Sequence, residues 1–276
     1  EDFVLKKYKD VNMLQRNIKM LTILEDMGIP VAGIVLTTDK KTYAEDDEYY
    51  YILTNKLSGS NITDIHKNTA IASEMGRALG KLHKAFRECE IQDEFWDNSL
   101  LKEMNGWIKT AFVKNNWQCI KETEFCNIAD RLENIYDKLP VQLIHRDVHL
   151  GNFLFDNGQF SGYIDFDLSQ RNIRIFDLCY FMLGLLSEEE VLDISEEQWF
   201  SILSNFFAGY EQEQELMAEE KKAVPYVMEA IELLFMAWFM EQKDVKCIED
   251  AMRIYCFVNK NRQDIWENIT YNNKRF

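Results

Sequence analysis

Proline and glycine are scarce in this chain, at 3 and 11 of its 276 residues. That scarcity excludes collagen-like and Pro/Gly-rich disordered architectures. The cysteines Cys89, Cys119, Cys126, Cys179, Cys247 and Cys256 include no C-x-x-C pair. Neither a zinc site nor a disulfide framework is therefore encoded, and reduced thiols of a cytoplasmic protein are expected. Cationic residues are also in deficit, with 31 Lys and Arg against 47 Asp and Glu, a formal net charge of −16. A chain so acidic lacks the surplus of cations that neutralises nucleic-acid phosphates, and anionic membranes repel it. A cationic small molecule is the partner that such a field favours, and general solubility accounts for the acidity equally well. Long hydrophobic runs are missing too. Leu233 to Met240, the longest, falls far short of the roughly 20 residues of a membrane span. What is present is an ordinary globular balance of 47% hydrophobic and 28% charged residues, on a chain long enough to bury a full core.

The organisation changes along the chain. Phe3 to Tyr8 reads as a strand, and Val11, Leu14, Ile18 and Leu21 then mark one face of a helix. Gly28 supplies the left-handed stop and Pro30 prevents resumption. Two β segments, Ile34 to Leu36 and Tyr49 to Leu53, flank a polar hairpin-like stretch, and Leu57-Ser58-Gly59-Ser60 reads as a linker. Helical spacing then dominates through Ile71, Met75, Leu79, Leu82 and Phe86, and two further helices fill residues 95–138 before Pro140. The β signal returns at Leu143-Ile144, Phe153–Phe155 and Phe160–Phe166, the last two separated by Asn157-Gly158, a strong two-residue hairpin signal. From residue 175 onward the pattern is helical, with capping boxes at Ser187-x-x-Glu190 and Ser195-x-x-Gln198, and Trp199, Ile202, Leu203, Phe206 and Tyr210 give the second of these helices an apolar stripe. The division expected is a small α/β lobe over residues 1–56 and a large, mainly helical lobe over 57–276 that contains one hairpin.

The chemistry concentrates in His145-Arg146-Asp147-Val148-His149-Leu150-Gly151-Asn152 and Ile164-Asp165-Phe166-Asp167. Carrying the hairpin register outward from Asn157-Gly158 puts Asn152 opposite Tyr163, with Asp165 just beyond the same open end. The loop bearing Asp147 enters from that end. Two carboxylates and a carboxamide should therefore converge, a set of hard oxygen ligands suited to Mg²⁺ with substrate phosphates.

The H-x-D-x-x-x-x-N spacing, followed by an Asp after a hairpin, resembles the catalytic loop and metal-binding Asp of the protein-kinase-like superfamily. His-x-Asp-x-His-x-Gly-Asn with Ile-Asp-Phe-Asp narrows this. So do Gly80-Lys81-Leu82-His83 and Asp177-Leu178. Together they are similar to the aminoglycoside phosphotransferase and choline kinase branch, over roughly residues 3–183. The resemblance implies an α+β, two-lobed protein-kinase-like fold and transfer of the γ-phosphoryl group of ATP, with Mg²⁺, to a small-molecule hydroxyl. It implies Asp147 as the residue that accepts or orients the hydroxyl proton, Asn152 and Asp165 as metal ligands, and Lys6 as partner of the nucleotide phosphates. Lys7 is the alternative to Lys6 if the register slips by one. Asn55, Lys56 and Leu57 fall at the hinge that meets the adenine.

Two departures stand out. The helix after Lys6 should offer that lysine a glutamate, yet Asn17 occupies the expected position, and Gln15 and Glu25 are poor substitutes by phase. No glycine-rich loop precedes Lys6, so a native N-terminal segment is expected to be missing from this numbering.

Other residues carry competing readings. His145 reads as a structural residue of the loop and His83 as a satisfied core histidine. His149 reads either as loop packing or as a contact to substrate or metal ligands. Asp167 reads as a support behind the metal ligands or a cap, and Asp177 as a tie for the catalytic loop. Arg146 should pair with a local carboxylate. From Ile175 to Glu220 there are 12 acids and no Lys or Arg. A solvated helix face accounts for this, with an amine-binding acceptor wall as the sharper reading. Trp238 and Phe239 likewise read as helix packing or as an aromatic wall for an amine. The alternative to a kinase is a kinase-fold protein, similar to spore-coat relatives, that binds a nucleotide or partner with little catalysis.

Overall fold

The computed structural model describes residues 2–63, 65, 69–187 and 194–271. The smaller lobe is a sheet with one helix. Strand β1 (Phe3–Tyr8) leads into α1 (Val11–Asp26), followed by β2 (Ile34–Val35), β3 (Ala44–Asp46) and β4 (Tyr49–Asn55). β4 is the centre, pairing antiparallel with β1, β2 and β3. Asp10 caps α1 by accepting from the backbone N–H of Asn12 and Met13, and Gly28, at φ 74°, ends the turn as its sequence position foretells.

The larger lobe begins with α2 (Thr69–Gln92). It continues through α3 (Leu100–Glu103), α4 (Lys109–Lys114), α5 (Glu122–Tyr136), β5 (Val141–Ile144), β6 (Phe153–Asp156), β7 (Gln159–Tyr163) and β8 (Gln170–Ile173). Helices α6 (Ile175–Gly184), α7 (Glu196–Glu211), α8 (Ala218–Gln242), α9 (Val245–Lys260) and α10 (Arg262–Tyr271) complete it. The predicted stripe Trp199, Ile202, Leu203, Phe206 and Tyr210 on α7 is fully buried, and the Ser195–Gln198 capping box forms both its bonds. The Ser187–Glu190 box and the acids Glu188, Glu189, Glu190 and Asp193 lie outside the described residues.

Three features depart from the sequence reading. The hairpin forms at Asn157-Gly158, both at positive φ, but a bulge between Leu154 and Phe155 shifts its register. Phe153, not Asn152, therefore faces Tyr163, and Asn152 instead accepts through its backbone oxygen from Ile164 N at 3.2 Å. Strand β8, antiparallel to β5, was not foreseen. Its inward residues are amides, Gln170 and Asn172, both buried, so no apolar alternation announces it. The Leu57–Ser60 stretch is not a free linker. Ser60 exchanges both backbone bonds with Phe155 at 3.0 and 2.9 Å, and Gly59, at φ 110°, passes so close to the Phe155 carbonyl that no side chain fits.

Helix α8 spans 25 residues and, among the described residues, is the one helix long and apolar enough to cross a membrane. In this fold it is a core element, with 72% of its apolar window buried inside the protein. Two of its carboxylates, Glu229 and Glu232, are buried with it.

Candidate active site

The site assembles where the loops after β5 and β7 meet. Arg146 adopts a left-handed conformation (φ 70°), which a non-glycine residue holds only when its surroundings fix it. Asp177, fully buried near the start of α6, supplies that fixing. It accepts from the backbone N–H of His145 and of Arg146, each at 2.8 Å, and from His83 Nε2 at 2.9 Å. His83 Nδ1 in turn meets Tyr210 OH at 2.9 Å. A buried relay thus runs from α7 through α2 and α6 to the loop bearing Asp147. The Arg146 side chain pairs with Glu103 at 3.1 Å, the local carboxylate expected.

Asp147 stands at the loop's tip with both oxygens held. Oδ1 accepts from Tyr180 OH at 3.0 Å, and Oδ2 from Asn152 Nδ2 at 3.1 Å. His149 Nδ1 accepts from Gly151 N at 3.1 Å, so its proton sits on Nε2, 3.6 Å from Asp147 Oδ2. Burial opposes the Asp147 charge, but the contacts from His149 and Tyr180 prevail and keep this carboxyl below its ordinary range. His145 is buried and held neutral by that burial. Because the Ile164 carbonyl can only accept, His145 Nε2 carries the proton in their 3.2 Å bond, tying this loop to the Asp165 segment.

Asn152 donates its amide to both Asp147 Oδ2 and the Asp147 carbonyl, the latter at 2.8 Å, which leaves Oδ1 as the ligand atom. Asp165 sits at φ 64° with Oδ1 2.7 Å from Lys6 Nζ. The donor set fits a hard divalent cation, since it consists of a carboxylate and an amide oxygen with the remaining positions open. Among the described residues no cluster of three or more His, Cys, Asp or Glu side chains forms a closed metal cage.

Strand alternation separates the two lysines of β1. Lys6 faces Asp165 and Asp167, whereas Lys7 lies over the Tyr49 ring, 3.4 Å from its centroid. Burial works against the Lys6 charge, yet its bonds to the two carboxylates hold the amine above its usual value. At the hinge, Asn55 and Lys56 give their backbone N–H groups to Gly33 O and Asp2 O, at 2.9 and 3.0 Å.

On its other side Asp147 opens onto a cavity of about 290 Å³. Its walls include His149, Tyr180, Glu232, Phe235, Phe239 and Asp250, and none of the described residues lining it is Lys or Arg. Glu232 is 2% exposed, and no hydrogen-bond donor among the described residues reaches its carboxyl. Burial therefore pushes that carboxyl well above its ordinary range, with Asp250 adding to the effect. Phe239 lines the cavity as one of the two sequence readings had it, while Trp238 packs edge-on against Phe239 and is half exposed. The described acids of the 175–220 segment serve elsewhere. Glu211 and Glu213 pair with Lys221 and Lys84, and Glu220 forms a buried pair with Arg174 at 2.7 Å.

Several participants were missed from sequence. Tyr180 had a usable signal, since it lies three residues past Asp177 on α6 and so shares its helix face. Asn61, which donates to the carbonyls of Leu150, Gly151 and Phe153, had none, nor did Glu232 and Asp250.

A strand-rich lobe over a helical lobe, joined at a paired catalytic loop and hairpin, is the protein-kinase-like architecture. Residues 1–220 match the profile of the phosphotransferase enzyme family (APH), and the chain belongs to that family. It is 24% identical over 173 residues to amicoumacin kinase of Bacillus subtilis (strain 168), covering 58% of this chain and 48% of that protein. It is 32% identical over 106 residues to homoserine kinase of Neisseria meningitidis serogroup B (strain ATCC BAA-335 / MC58), covering 38% of this chain and 33% of that protein. The chain thus spans one third to about half of the length of these curated relatives. Among solved structures, an amicoumacin kinase, hAmiN, in complex with AMP-PNP, Ca²⁺ and Ami superposes with a TM-score of 0.70 at 20% identity, covering 95% of this chain and 81% of that one. A microcompartment-associated aminopropanol kinase gives 0.68 at 16% identity, covering 97% and 88%.

Proposed function

We propose that this protein is an ATP-dependent small-molecule phosphotransferase with a hydroxyl acceptor that carries a cationic amine. The observation that carries the reading is the position of Asp147, between the Asn152 side chain on one side and an acid-lined cavity on the other. In this reading residues 1–56 are the nucleotide lobe and residues 57–276 the catalytic and acceptor lobe. Asp147 accepts or orients the acceptor's hydroxyl proton, and Tyr180 and Asn152 hold its two oxygens in aim. Its lowered proton affinity keeps it ionised at neutral pH, as a hydroxyl-orienting group requires. Lys6 faces the phosphates, and Asn152 Oδ1 with Asp165 holds the divalent cation, Mg²⁺ by preference for such ligands. The nucleotide supplies the γ-phosphoryl group, and the cation supplies charge neutralisation. Of the three hinge residues, Asn55 and Lys56 have committed their amides, which leaves the backbone of Leu57 for the base.

The cationic acceptor rests on the cavity. Asp250 and Asp147 supply negative charge, the buried Glu232 supplies a carboxyl that a bound ammonium group would ionise, and Tyr180, Phe235 and Phe239 supply aromatic faces that attract an ammonium group. Relatives in this fold whose names carry amino alcohols, such as the aminopropanol kinase, support the same class. A cytoplasmic location, in keeping with six free thiols, belongs to this reading as well.

The test is Mg-dependent ADP release from ATP with aminoglycosides, choline, ethanolamine, aminopropanol and neutral sugars in parallel, using Asp147→Asn as the blank. Stimulation by an amine-bearing acceptor, lost by orders of magnitude in the blank, is the expected result. Mg-nucleotide binding without turnover on any acceptor would instead favour a binding protein in kinase form.

A further inference from the structure

One carboxylate of the site is the target of three donors from the smaller lobe. Asp167 Oδ1 accepts from Tyr8 OH at 2.7 Å and from Asn17 Nδ2 at 2.6 Å, while Oδ2 faces Lys6 Nζ at 3.2 Å. Tyr8 and Lys6 belong to β1 and Asn17 to α1, so two elements close on one residue of the segment after β7. Asn17 is buried, and its amide also reaches Tyr8 OH at 3.3 Å.

Asn17 occupies the position at which a helix glutamate is expected for the lysine, yet it has no charge and its bonds go to Asp167 and Tyr8. Among the described ion pairs, the carboxylates of Lys6 are Asp165 and Asp167. Asp165 is the residue read as a metal ligand, so Asp167 is the one left as standing counter-ion for the amine. Its orientation is fixed, because the two neutral donors occupy Oδ1 and present Oδ2 to the lysine. A glutamate at position 17 would set a second carboxylate against Asp167, and like charges in one place repel. A carboxamide donor is what Asp167 needs there.

We propose that Asp167 is the positioning carboxylate of Lys6 in place of a helix glutamate, with Asn17 as the group that aims it. The inference rests on the phosphotransferase reading above. The lysine's anchor then comes from the same six-residue segment, Ile164–Ser169, that carries the metal-ligating Asp165. In this chain the phosphate contact and the metal site are therefore set by one loop.

The experiment uses the full chain and compares Asp167→Asn, Lys6→Met, their double variant, and the exchange Asn17→Asp with Asp167→Asn. The exchange moves the carboxylate to the helix and keeps a carboxamide opposite it. Mg-ADP affinity by calorimetric titration is read beside kcat and KM for ATP, with thermal unfolding as the check on folding. Asp167→Asn and Lys6→Met should each weaken Mg-ADP binding about tenfold, the usual scale for one charge-assisted bond. The double variant should lose no more than the worse single, since two groups acting as a unit do not add. The exchange should recover most of the lost affinity. Losses that add in the double variant, or wild-type affinity in Asp167→Asn, overturn the proposal. If Asp167→Asn does not fold, the exchange decides alone: recovery supports the proposal, and a loss equal to that of Lys6→Met overturns it. A wild-type protein that binds no Mg-ADP overturns the phosphotransferase reading and this inference together.

Discussion

A carboxyl group sealed from water keeps its proton unless something compensates the charge, and Glu232 has no hydrogen-bond donor among the described residues to do so. The direction of the pH effect follows. The unfolded chain gives up this proton above about pH 4.3, whereas burial makes the folded protein retain it to higher pH. The residue therefore costs stability that is absent below that pH and grows as the pH rises. Glu232→Gln should unfold at a higher temperature than wild type at pH 7–8. The gain should shrink towards zero near pH 4, checked by calorimetry across that range. The same substitution should raise KM for an amine-bearing acceptor about tenfold or more, because it removes the buried carboxyl that an ammonium group would ionise on binding. Stability gained with affinity lost is the signature of a group kept for binding. Nothing local in the sequence points to Glu232. It lies 85 residues beyond Asp147, and its meaning comes only from helix packing. The Asp147–Asn152 contact was legible because both residues lie in one short loop, and Asp165 follows after a single hairpin.

Helices α2 and α7 cross backbone to backbone. A Cβ on Gly76 would lie 1.9 Å from the Phe206 carbonyl oxygen, and one on Gly209 would lie 2.0 Å from that of Ser73. This crossing also carries His83 and Tyr210, the first two members of the relay behind the catalytic loop. Gly76→Ala should cost about 3 kcal/mol, the upper end for overpacking a core. By the usual scaling that is a drop of roughly 6–12 °C in Tm for a protein of this size. Because the relay moves with the helices, acceptor turnover should fall in the same variant, which a coupled assay would register. The helices themselves were legible, with α2 and α7 readable from their apolar stripes and α7 from its capping box. The strand β8 and the bulge were not. A strand whose inward face is Gln170 and Asn172 has the composition of a loop, and a bulge shifts register without changing residue type.

The whole molecule carries a net charge of −16, and the described lining of the cavity beside Asp147 contributes to that sign rather than opposing it. A cationic acceptor is drawn by this field before it reaches the wall. Raising the ionic strength from about 0.05 to about 0.3 M should therefore increase KM several-fold for a polycationic acceptor and leave KM for a neutral alcohol nearly unchanged, because salt screens the long-range part. In the proposed reading the two halves of the reaction are built from different parts of the chain. The phosphate side draws on β1, the loop after β5 and the segment after β7. The acceptor side draws mainly on α6, α8 and α9. One wall residue, Phe235, packs against the Tyr180 ring with centroids 5.9 Å apart, so the wall and the hydroxyl that aims Asp147 share a contact. A search for altered substrate preference should therefore randomise the α8–α9 pair with Phe235 held fixed, because a change there also shifts Tyr180 and with it the aim of Asp147.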